Sequence, residues 1–289
     1  MLLRIAPIVF VILWATGYIA SKAGAPYAEP FTLLAIRFAL VVGVLMLAWP
    51  WLRSDKMRPG DVLVAVVIGG LVHGVTLAAV FWVIANEMPA GVVALIVCLQ
   101  PLLVAALAGY VLGERITAMN WLGLGIGVIG VVLVLAPKMT VGSTGFSLAN
   151  VLVSVLALVS LTIGTVLQKI QAANVEFRKA LLPQYIGALI VVLIGSLSLE
   201  TREVQWTPAF IGVMAWLVFV LSIGAISLLF MMIEANAVWR TASLFYLVPP
   251  TTALMAWLLF NETLTVVQGV GFVVVCAAIL LTNRQAKPA

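Results

Sequence analysis

Ten long apolar runs dominate this sequence and leave little room for anything else. They cover residues 5–21, 31–49, 62–85, 90–112, 117–136, 147–167, 181–199, 209–233, 238–259 and 265–282. A helix needs roughly 20 apolar residues to cross the hydrocarbon layer of a bilayer, and lipid offers no partner for an unbonded backbone group. We therefore expect an all-α integral membrane protein with ten transmembrane helices and no soluble domain.

The composition excludes several other classes of protein. The chain is 64% hydrophobic and 9% charged, whereas a soluble domain is about 25% charged. Its two cysteines, Cys98 and Cys276, both lie inside apolar runs, which argues against a disulfide scaffold. The pI near 9.5 does not indicate nucleic acid, because the basic residues lie in short connectors rather than in a patch.

The positive charges predict the orientation of the chain in the membrane. Eleven of the 15 Lys and Arg residues fall in connectors or, for Arg240, at the end of a run on the side of the N-terminus, three fall in the other connectors, and Arg37 lies deeper within a run. Cytoplasmic loops carry the excess of such charge, so both termini are expected in the cytoplasm. The first run, followed by Ala23-Gly24-Ala25, also resembles a cleaved signal peptide, but its removal would break the repeat described next.

The two halves of the sequence align without a gap at an offset of 148. The aligned pairs are Leu99/Leu247, Pro101/Pro249, Ala105/Ala253, Glu114/Glu262, Thr117/Thr265, Gly123/Gly271 and Leu133/Leu281. Near the start of each half, Gly17 and Lys22 match Gly164 and Lys169 at an offset of 147. Five runs in each half make the second half enter the membrane upside down. We predict two inverted five-helix repeats, residues 1–137 and 147–289, around a central cavity, as in many secondary transporters.

These features together resemble the drug/metabolite transporter superfamily and, within it, the EamA-type exporters. The resemblance covers essentially the whole chain and includes a proline midway along the fourth helix of each half, a glutamate just after it, and Trp14, Lys22, Pro30 and Arg37. It departs in the second half, where Gln184 stands near the position corresponding to Arg37. The resemblance implies a bacterial inner-membrane exporter of amino acids or small metabolites, with helices 1, 3, 4, 6, 8 and 9 around the cavity and the others outside.

Prolines mark the fourth helix of each half. Pro101 and the Pro249-Pro250 pair lie inside apolar runs, where a proline removes one backbone donor and disturbs the carbonyl four residues back. A carbonyl freed at this depth needs a partner or a cavity. We interpret these positions as broken helices along a substrate path, with a kink satisfied by neighbouring helices as the alternative. Gln100, beside Pro101, would bind the charged ends of a zwitterion.

His73 is the one histidine of the sequence and lies mid-run, flanked by Gly69, Gly70 and Gly74. The glycines allow another helix to approach closely, and a polar group at this depth generally marks a functional site. We expect His73 to line the pocket, with a neutral histidine bonded to a neighbouring helix as the alternative. Arg37 would either clamp a carboxylate or serve a structural role, and the resemblance favours the structural role.

Aromatic and polar residues of the cavity-lining helices complete the predicted site. Trp14 and Tyr18 are four residues apart on one helix face, and Phe81 is eight residues beyond His73. The predicted substrate-binding residues are Trp14, Tyr18, His73, Leu77, Phe81, Gln100, Pro101, Leu158, Thr162, Met231, Tyr246 and Pro249.

The chemistry of the sequence favours transport over catalysis. Neither H-E-x-x-H nor G-x-x-x-x-G-K occurs, so we expect no enzyme activity, cofactor or metal. All ten acidic residues lie in connectors or at helix ends. Coupling through titration of His73, coupling through Glu87 or Glu234, and uncoupled exchange therefore all stay open.

We predict a secondary transporter that exports amino acids or similar small neutral metabolites by alternating access. A sugar-phosphate or nucleotide-sugar antiporter of the same superfamily is the main alternative, although phosphate recognition normally recruits several cations. A membrane enzyme is the other alternative. The expected partners are a small-molecule substrate and the lipid bilayer, without nucleic acid, and a homodimer through Gly109/Gly113 or Gly123/Gly127 is left open.

Overall fold

Helices form nearly all of the described structure. The computed structural model describes residues 2–52, 57–100, 103, 104, 107, 110, 118–135, 147–172, 174–226, 228, 247–261 and 265–283. The α-helices are α1 (Leu2–Gly24), α2 (Pro30–Leu52), α3 (Pro59–Gly69), α4 (Thr76–Ala85), α5 (Ala90–Val97), α6 (Ala118–Leu135), α7 (Leu148–Ala172), α8 (Phe177–Leu199), α9 (Pro208–Ala215), α10 (Val248–Phe260) and α11 (Val266–Asn283). Two π-helical segments, π1 (Gly70–Val75) and π2 (Trp216–Ala225), continue α3 and α9.

Six described helices are long and apolar enough to cross a membrane. They are Ile5–Gly24, Pro30–Ala48, Pro59–Ala85, Leu148–Ala172, Lys179–Leu199 and Pro208–Ala225. These helices correspond to the predicted runs 1, 2, 3, 6, 7 and 8, and α5, α6, α10 and α11 lie in the other four runs. The expectation of an all-α multi-pass membrane protein is confirmed.

The outer faces of the helices are strongly apolar. Leu47, Leu197 and Val266 are 77%, 66% and 85% exposed. In water such a surface would drive aggregation, whereas in a bilayer it contacts acyl chains. The exposed leucines and valines therefore form the lipid-facing surface.

Several helices pack against the helix that has the same position in the order of the other half. α2 packs on α8, α5 on α10, and α6 on α11. α1 packs on π2 and α10, while α7 packs on α4, π1 and α5. Each of these contacts has a counterpart when the two halves are exchanged.

The predicted close approach at the glycines of the third helix is present. A Cβ at Gly69 would overlap the backbone of Gln184, and a Cβ at Gly187 would overlap the backbone of Val66. Both partners of this crossing therefore need a hydrogen in place of a side chain. α3 and α8 consequently approach to backbone contact, which fixes the position of the residues that follow on each helix.

Glycines of α6 are used within the chain. Gly123 and Gly127 are buried, and Gly130 on the same helix face lies against Val275 and Gly271 of α11. Small residues allow this close helix packing. The face considered for a homodimer therefore packs on α11 in the described chain, and Gly109 and Gly113 lie outside the described residues.

Candidate functional site

The fourth membrane helix is interrupted at the predicted place. α5 ends at Val97, and Cys98 and Leu99 form a turn before helical structure resumes at Gln100. The Leu99 N–H donates to the Ile96 carbonyl at 3.1 Å, which is the tighter i to i+3 pattern of a 3₁₀ turn. The helix therefore changes its winding immediately before Pro101, which itself lies outside the described residues.

The second half has its prolines at a helix start. α10 begins at Val248, so Pro249 lies in the first turn, where a missing N–H leaves no intrahelical bond unmade. Pro249 is buried. Met231 and Tyr246, both predicted to line the site, lie outside the described residues.

Two aromatic residues of α1 lie beside these helix ends. Trp14 and Tyr18 are partly buried and pack against both the main apolar core and a second cluster that contains Phe10 and Val248. The rings of Trp14 and Phe10 are 5.2 Å apart, and Tyr18 lies within electrostatic range of Cys98. The structure therefore brings Trp14 and Tyr18 to the turn after α5 and to the start of α10.

A hydrogen bond joins the two halves at the same turn. Gln100 Nε2 donates to Thr165 Oγ1 of α7 at 2.9 Å. Thr165 was not among the predicted residues, although the offset of 147 that relates Gly17 to Gly164 also relates Tyr18 to Thr165. The internal repeat is thus the signal that would have identified it.

Four predicted residues lie on the packed helices α4 and α7. Phe81 and Leu158 are buried in the main core, and Leu77 packs against it. Thr162 Oγ1 donates to the Leu158 carbonyl at 2.7 Å, so its hydroxyl is bonded within its own helix. In the described conformation these residues contribute packing rather than free polar groups.

His73 lies in π1 and faces α8. Its ring stacks on Tyr185, with centroids 5.1 Å apart and planes 7° apart. A π turn takes in more residues than an α turn, so π1 changes the register between His73 and the residues of α4 that follow it. The stack on Tyr185 places His73 against α8.

Hydroxyl groups stabilise the π1 segment. The Leu71 carbonyl accepts hydrogen bonds from Thr76 Oγ1 at 2.8 Å and from Ser160 Oγ of α7 at 3.0 Å. π-helical turns are rare and occur frequently at functional sites. The widened turn is thus held by its own helix and by a neighbouring helix from the other half.

Arg37 is buried between α2 and π2. Its side chain is 7% exposed, and its Nε donates to Ser222 Oγ at 3.1 Å. The guanidinium carbon lies 5.6 Å from the centroid of the Phe38 ring. Among the described residues no carboxylate pairs with Arg37, and its side-chain hydrogen bond there goes to the neutral Ser222 hydroxyl.

Tyr185 connects Arg37 to His73. Besides stacking on His73, Tyr185 lies 5.8 Å from the Phe38 ring, and its Oη donates to the Ser222 carbonyl at 3.4 Å. Residues Arg37, Phe38, His73, Tyr185 and Ser222 form one buried group, which we call the Arg37 cluster. Tyr185 and Ser222 were not predicted, although the offset of 147 relates Phe38 to Tyr185.

A second polar arrangement, the loop clasp, joins residues 27–32 to residues 196–205. The Glu29 carboxylate accepts hydrogen bonds from the Thr201 hydroxyl at 2.8 Å and from the Arg202 N–H at 3.1 Å. These bonds hold the pKa of Glu29 below its usual 4.5. Ala28 and Val204 form an antiparallel bridge beside them.

Glu200 completes the loop clasp from the other side. Its carboxylate accepts the N–H groups of Phe31 and Thr32 at 2.7 and 2.6 Å. These are first-turn donors of α2, which have no intrahelical partner and favour a negative charge. A groove of about 590 Å³ lies over the clasp, and none of the predicted substrate-binding residues lines it.

Comparisons with known proteins agree with this architecture. A solved crystal structure matches with a TM-score of 0.64 and 18% identity over 99% of both chains, which shows a shared fold. The uncharacterized transporter YvbV of Bacillus subtilis is 26% identical over 96% of this chain and 90% of its own. A probable amino-acid metabolite efflux pump of Salmonella typhimurium is 25% identical over 94% of this chain and 91% of its own.

The family comparison is decisive. The model of the EamA-like transporter family matches residues 4–136 and again residues 148–284. The two matches together span nearly the whole sequence, and the relatives named above are transporters or efflux pumps. The chain therefore belongs to the EamA-like transporter family.

Proposed function

We propose that this protein is a secondary transporter that exports amino acids or similar small neutral metabolites across the bacterial inner membrane by alternating access. The observation that carries the proposal is the likeness over more than nine-tenths of the chain to probable amino-acid metabolite efflux pumps of Salmonella typhimurium and Escherichia coli. The match to a transporter family also fits a sequence in which neither H-E-x-x-H nor G-x-x-x-x-G-K occurs.

The two halves act in this proposal as inverted repeats, residues 1–137 and 147–289. Three observations support it: the family model matches twice, the helix pairs occupy matching places, and contacts cross between the halves reciprocally. His73 of the third helix contacts Tyr185 of the seventh, while Ser222 of the eighth contacts Arg37 of the second. Transporters built this way bind substrate near the midplane between the repeats.

The substrate would rest where the interrupted helices meet α1 and α7. Trp14 and Tyr18 supply an apolar wall there, and Gln100 and Thr165 supply neutral polar groups. Pro249 lies beside them in the first turn of α10. Pro101, Met231 and Tyr246 belong to the same proposed lining. Breaks in membrane helices expose backbone groups that can bind polar ends of a solute.

The loop clasp closes one end of the path in this proposal. The distribution of Lys and Arg puts both termini in the cytoplasm, so residues 25–29 and 200–207 face the opposite side. Release of an exported solute then requires the clasp to open. The Glu29 bonds of the clasp are among exposed groups, and bonds at the surface open at the lowest cost in free energy.

Counterflow in proteoliposomes tests the function. Vesicles that contain the protein and are loaded with an unlabelled neutral amino acid should accumulate the labelled form faster than protein-free vesicles. We expect Gln100→Ala to lower the initial rate by about 2–10-fold, since one lost hydrogen bond contributes roughly 0.5–1.5 kcal/mol. Gln205→Ala is the matched control, because Gln205 is exposed in the loop clasp.

Two results would overturn the function. The first is the absence of flux above protein-free vesicles for a broad panel of neutral amino acids. The second is inhibition of labelled-solute uptake by sugar phosphates but not by amino acids, which would favour the antiporter alternative. Equal rates for Gln100→Ala and Gln205→Ala would remove Gln100 from the site.

A further inference from the structure

Arg37 carries a buried positive charge with far too few partners. A guanidinium has five N–H donors, and the described structure uses one of them, on the neutral Ser222 hydroxyl. Transferring a charge from water to a membrane interior without a counter-charge costs several kcal/mol. The chain nevertheless holds Arg37 at 7% exposure, so the geometry points to an anion that is missing from this site.

Among the residues that the structure describes, the surroundings of Arg37 supply no such anion. The described acids Glu29, Asp61, Glu87, Glu176, Glu200 and Glu203 lie in connectors or at helix ends. Glu29 and Glu200 are already bonded within the loop clasp. The groups that do face Arg37 are Phe38, Tyr185, Ser222 and, within electrostatic range, His73. All four are neutral or cationic, so the site is complementary to a negative ligand.

The Arg37 cluster also lies on the contact between the two halves of the chain. Arg37 comes from the first half and Ser222 from the second, and both π segments contribute to the cluster through His73 and Ser222. π turns are locally rearranged helix and recur at functional sites. A ligand that replaces Ser222 on the guanidinium would act on both halves at once, as alternating access requires.

We propose that Arg37 binds the carboxylate of the translocated solute, so that the substrates of this exporter carry a free carboxylate. A planar carboxylate accepts two parallel N–H bonds from a guanidinium. A phosphate dianion fits less well, because such ligands recruit several cations, whereas the predicted runs hold only Arg37 and, two residues inside the ninth run, Arg240. The inference rests on the proposed function and adds the chemical group that is recognised.

Thermal unfolding with matched ligand pairs tests this assignment. The purified full-length protein is heated with leucine or leucinamide, with phenylalanine or phenylalaninamide, with butyrate or butyramide, and with chloride alone. We expect each carboxylate to raise the midpoint and each amide to have no comparable effect. Half-maximal stabilisation by leucine should require about 10–100-fold more ligand in Arg37→Gln, because charge-assisted bonds are the ones lost. Arg37→Lys should keep part of the effect.

Controls separate recognition from a structural role. Arg58→Gln removes the same charge from an exposed position and should respond as the wild type does. Without ligand, Arg37→Gln should unfold at the same temperature as the wild type or higher, since an unpaired buried charge is removed. A lower midpoint of Arg37→Gln without ligand, together with an unchanged preference for leucine over leucinamide, would overturn the proposal and make Arg37 structural.

The remaining outcomes also decide the question. Equal stabilisation of the wild type by acids and amides overturns the inference, as does chloride alone matching every carboxylate. Counterflow of leucine and leucinamide at equal rates would overturn it while leaving the exporter function intact. A carboxylate preference lost in Arg37→Gln, with no amino-acid counterflow, would support Arg37 as a carboxylate site and reject amino acids as the transported solute.

Discussion

Several buried polar side chains of this protein leave hydrogen-bonding groups unused among the described residues. They are Ser21, Gln184 and Thr252. Gln184 is 1% exposed, and both its amide nitrogen and its amide oxygen lack a partner. An unsatisfied buried group costs about 1–3 kcal/mol. Gln184 corresponds to Arg37 at the offset of 147 that relates the two halves. In each half, the polar residue at this position is therefore buried without enough hydrogen-bond partners.

The unfolding temperature should rise when the Gln184 amide is removed. We expect Gln184→Met to stabilise the protein by about 1 kcal/mol or more, because the replacement keeps the volume and deletes an unsatisfied amide. Differential scanning fluorimetry measures the shift. Gln205→Met, at an exposed loop position, is the control and should change little. A fall in the midpoint would mean that the amide is bonded in the folded protein.

At the scale of the elements, irregular segments hold the residues of interest while regular helix forms the frame. π1 carries His73 and π2 carries Ser222, and the turn at Cys98–Leu99 precedes Gln100. Each irregularity has a bonded partner, such as the Ser160 hydroxyl on the Leu71 carbonyl. In a membrane a backbone group needs such a partner, so these segments are stabilised departures from helix.

The loop clasp should weaken in acid. Hydrogen bonds from the Thr201 hydroxyl and from backbone N–H groups lower the pKa of Glu29. A lowered pKa gives stability that is present above the unfolded value of 4.5 and is lost as the pH falls through the folded value. We therefore expect the difference in unfolding midpoint between wild type and Glu29→Gln to be present at neutral pH, and to vanish once the pH has fallen below the lowered pKa of Glu29 in the folded protein.

The control for the clasp is Glu203→Gln, an exposed acid of the same loop. Its midpoint should follow that of the wild type at every pH. A difference between wild type and Glu29→Gln that grows in acid would contradict the assignment, since a protonated Glu29 cannot accept the charge-assisted bonds from Thr201 and Arg202.

At the scale of the whole molecule, the interior is assembled from both halves of the chain. α2 and α8, α5 and α10, and α6 and α11 each pair one helix from either half. Neither half buries its contact faces alone. In the alternating-access mechanism proposed above, ligand binding between the halves would alter their relative position.

The orientation of the chain supplies a test at this scale. We expect reporters fused to the N-terminus and to the C-terminus to be active on the cytoplasmic side, because ten crossings return the chain to its starting side and the Lys and Arg excess lies there. Paired fusions of alkaline phosphatase and a fluorescent protein measure this. Reporters on opposite sides would contradict the ten-helix count and the inverted repeat.

Local sequence signals predicted a good part of the fold. A threonine followed three residues later by glutamine is a local signal for the start of a helix. Thr265 accepts the Gln268 N–H at 3.3 Å, and Gln268 Oε1 accepts the Thr265 N–H at 3.0 Å, so the two residues form a capping box. The interruption before Pro101 also follows from one residue's missing donor. The stacking of His73 on Tyr185 has no such local signal, because the two residues are more than 100 positions apart.

The sequence by itself determined that this chain is a multi-pass helical membrane protein, because apolar length and the lack of water in the bilayer act on each segment separately. It also determined the internal repeat, whose glutamates, threonines and prolines recur at a fixed offset. The tertiary structure alone decided that Arg37 meets Ser222, that π1 turns His73 onto α8, and that Glu29 and Glu200 join two loops. Those contacts depend on how close the elements pack, as at the Gly69–Gln184 crossing, where the absence of a side chain lets α3 and α8 approach to backbone contact.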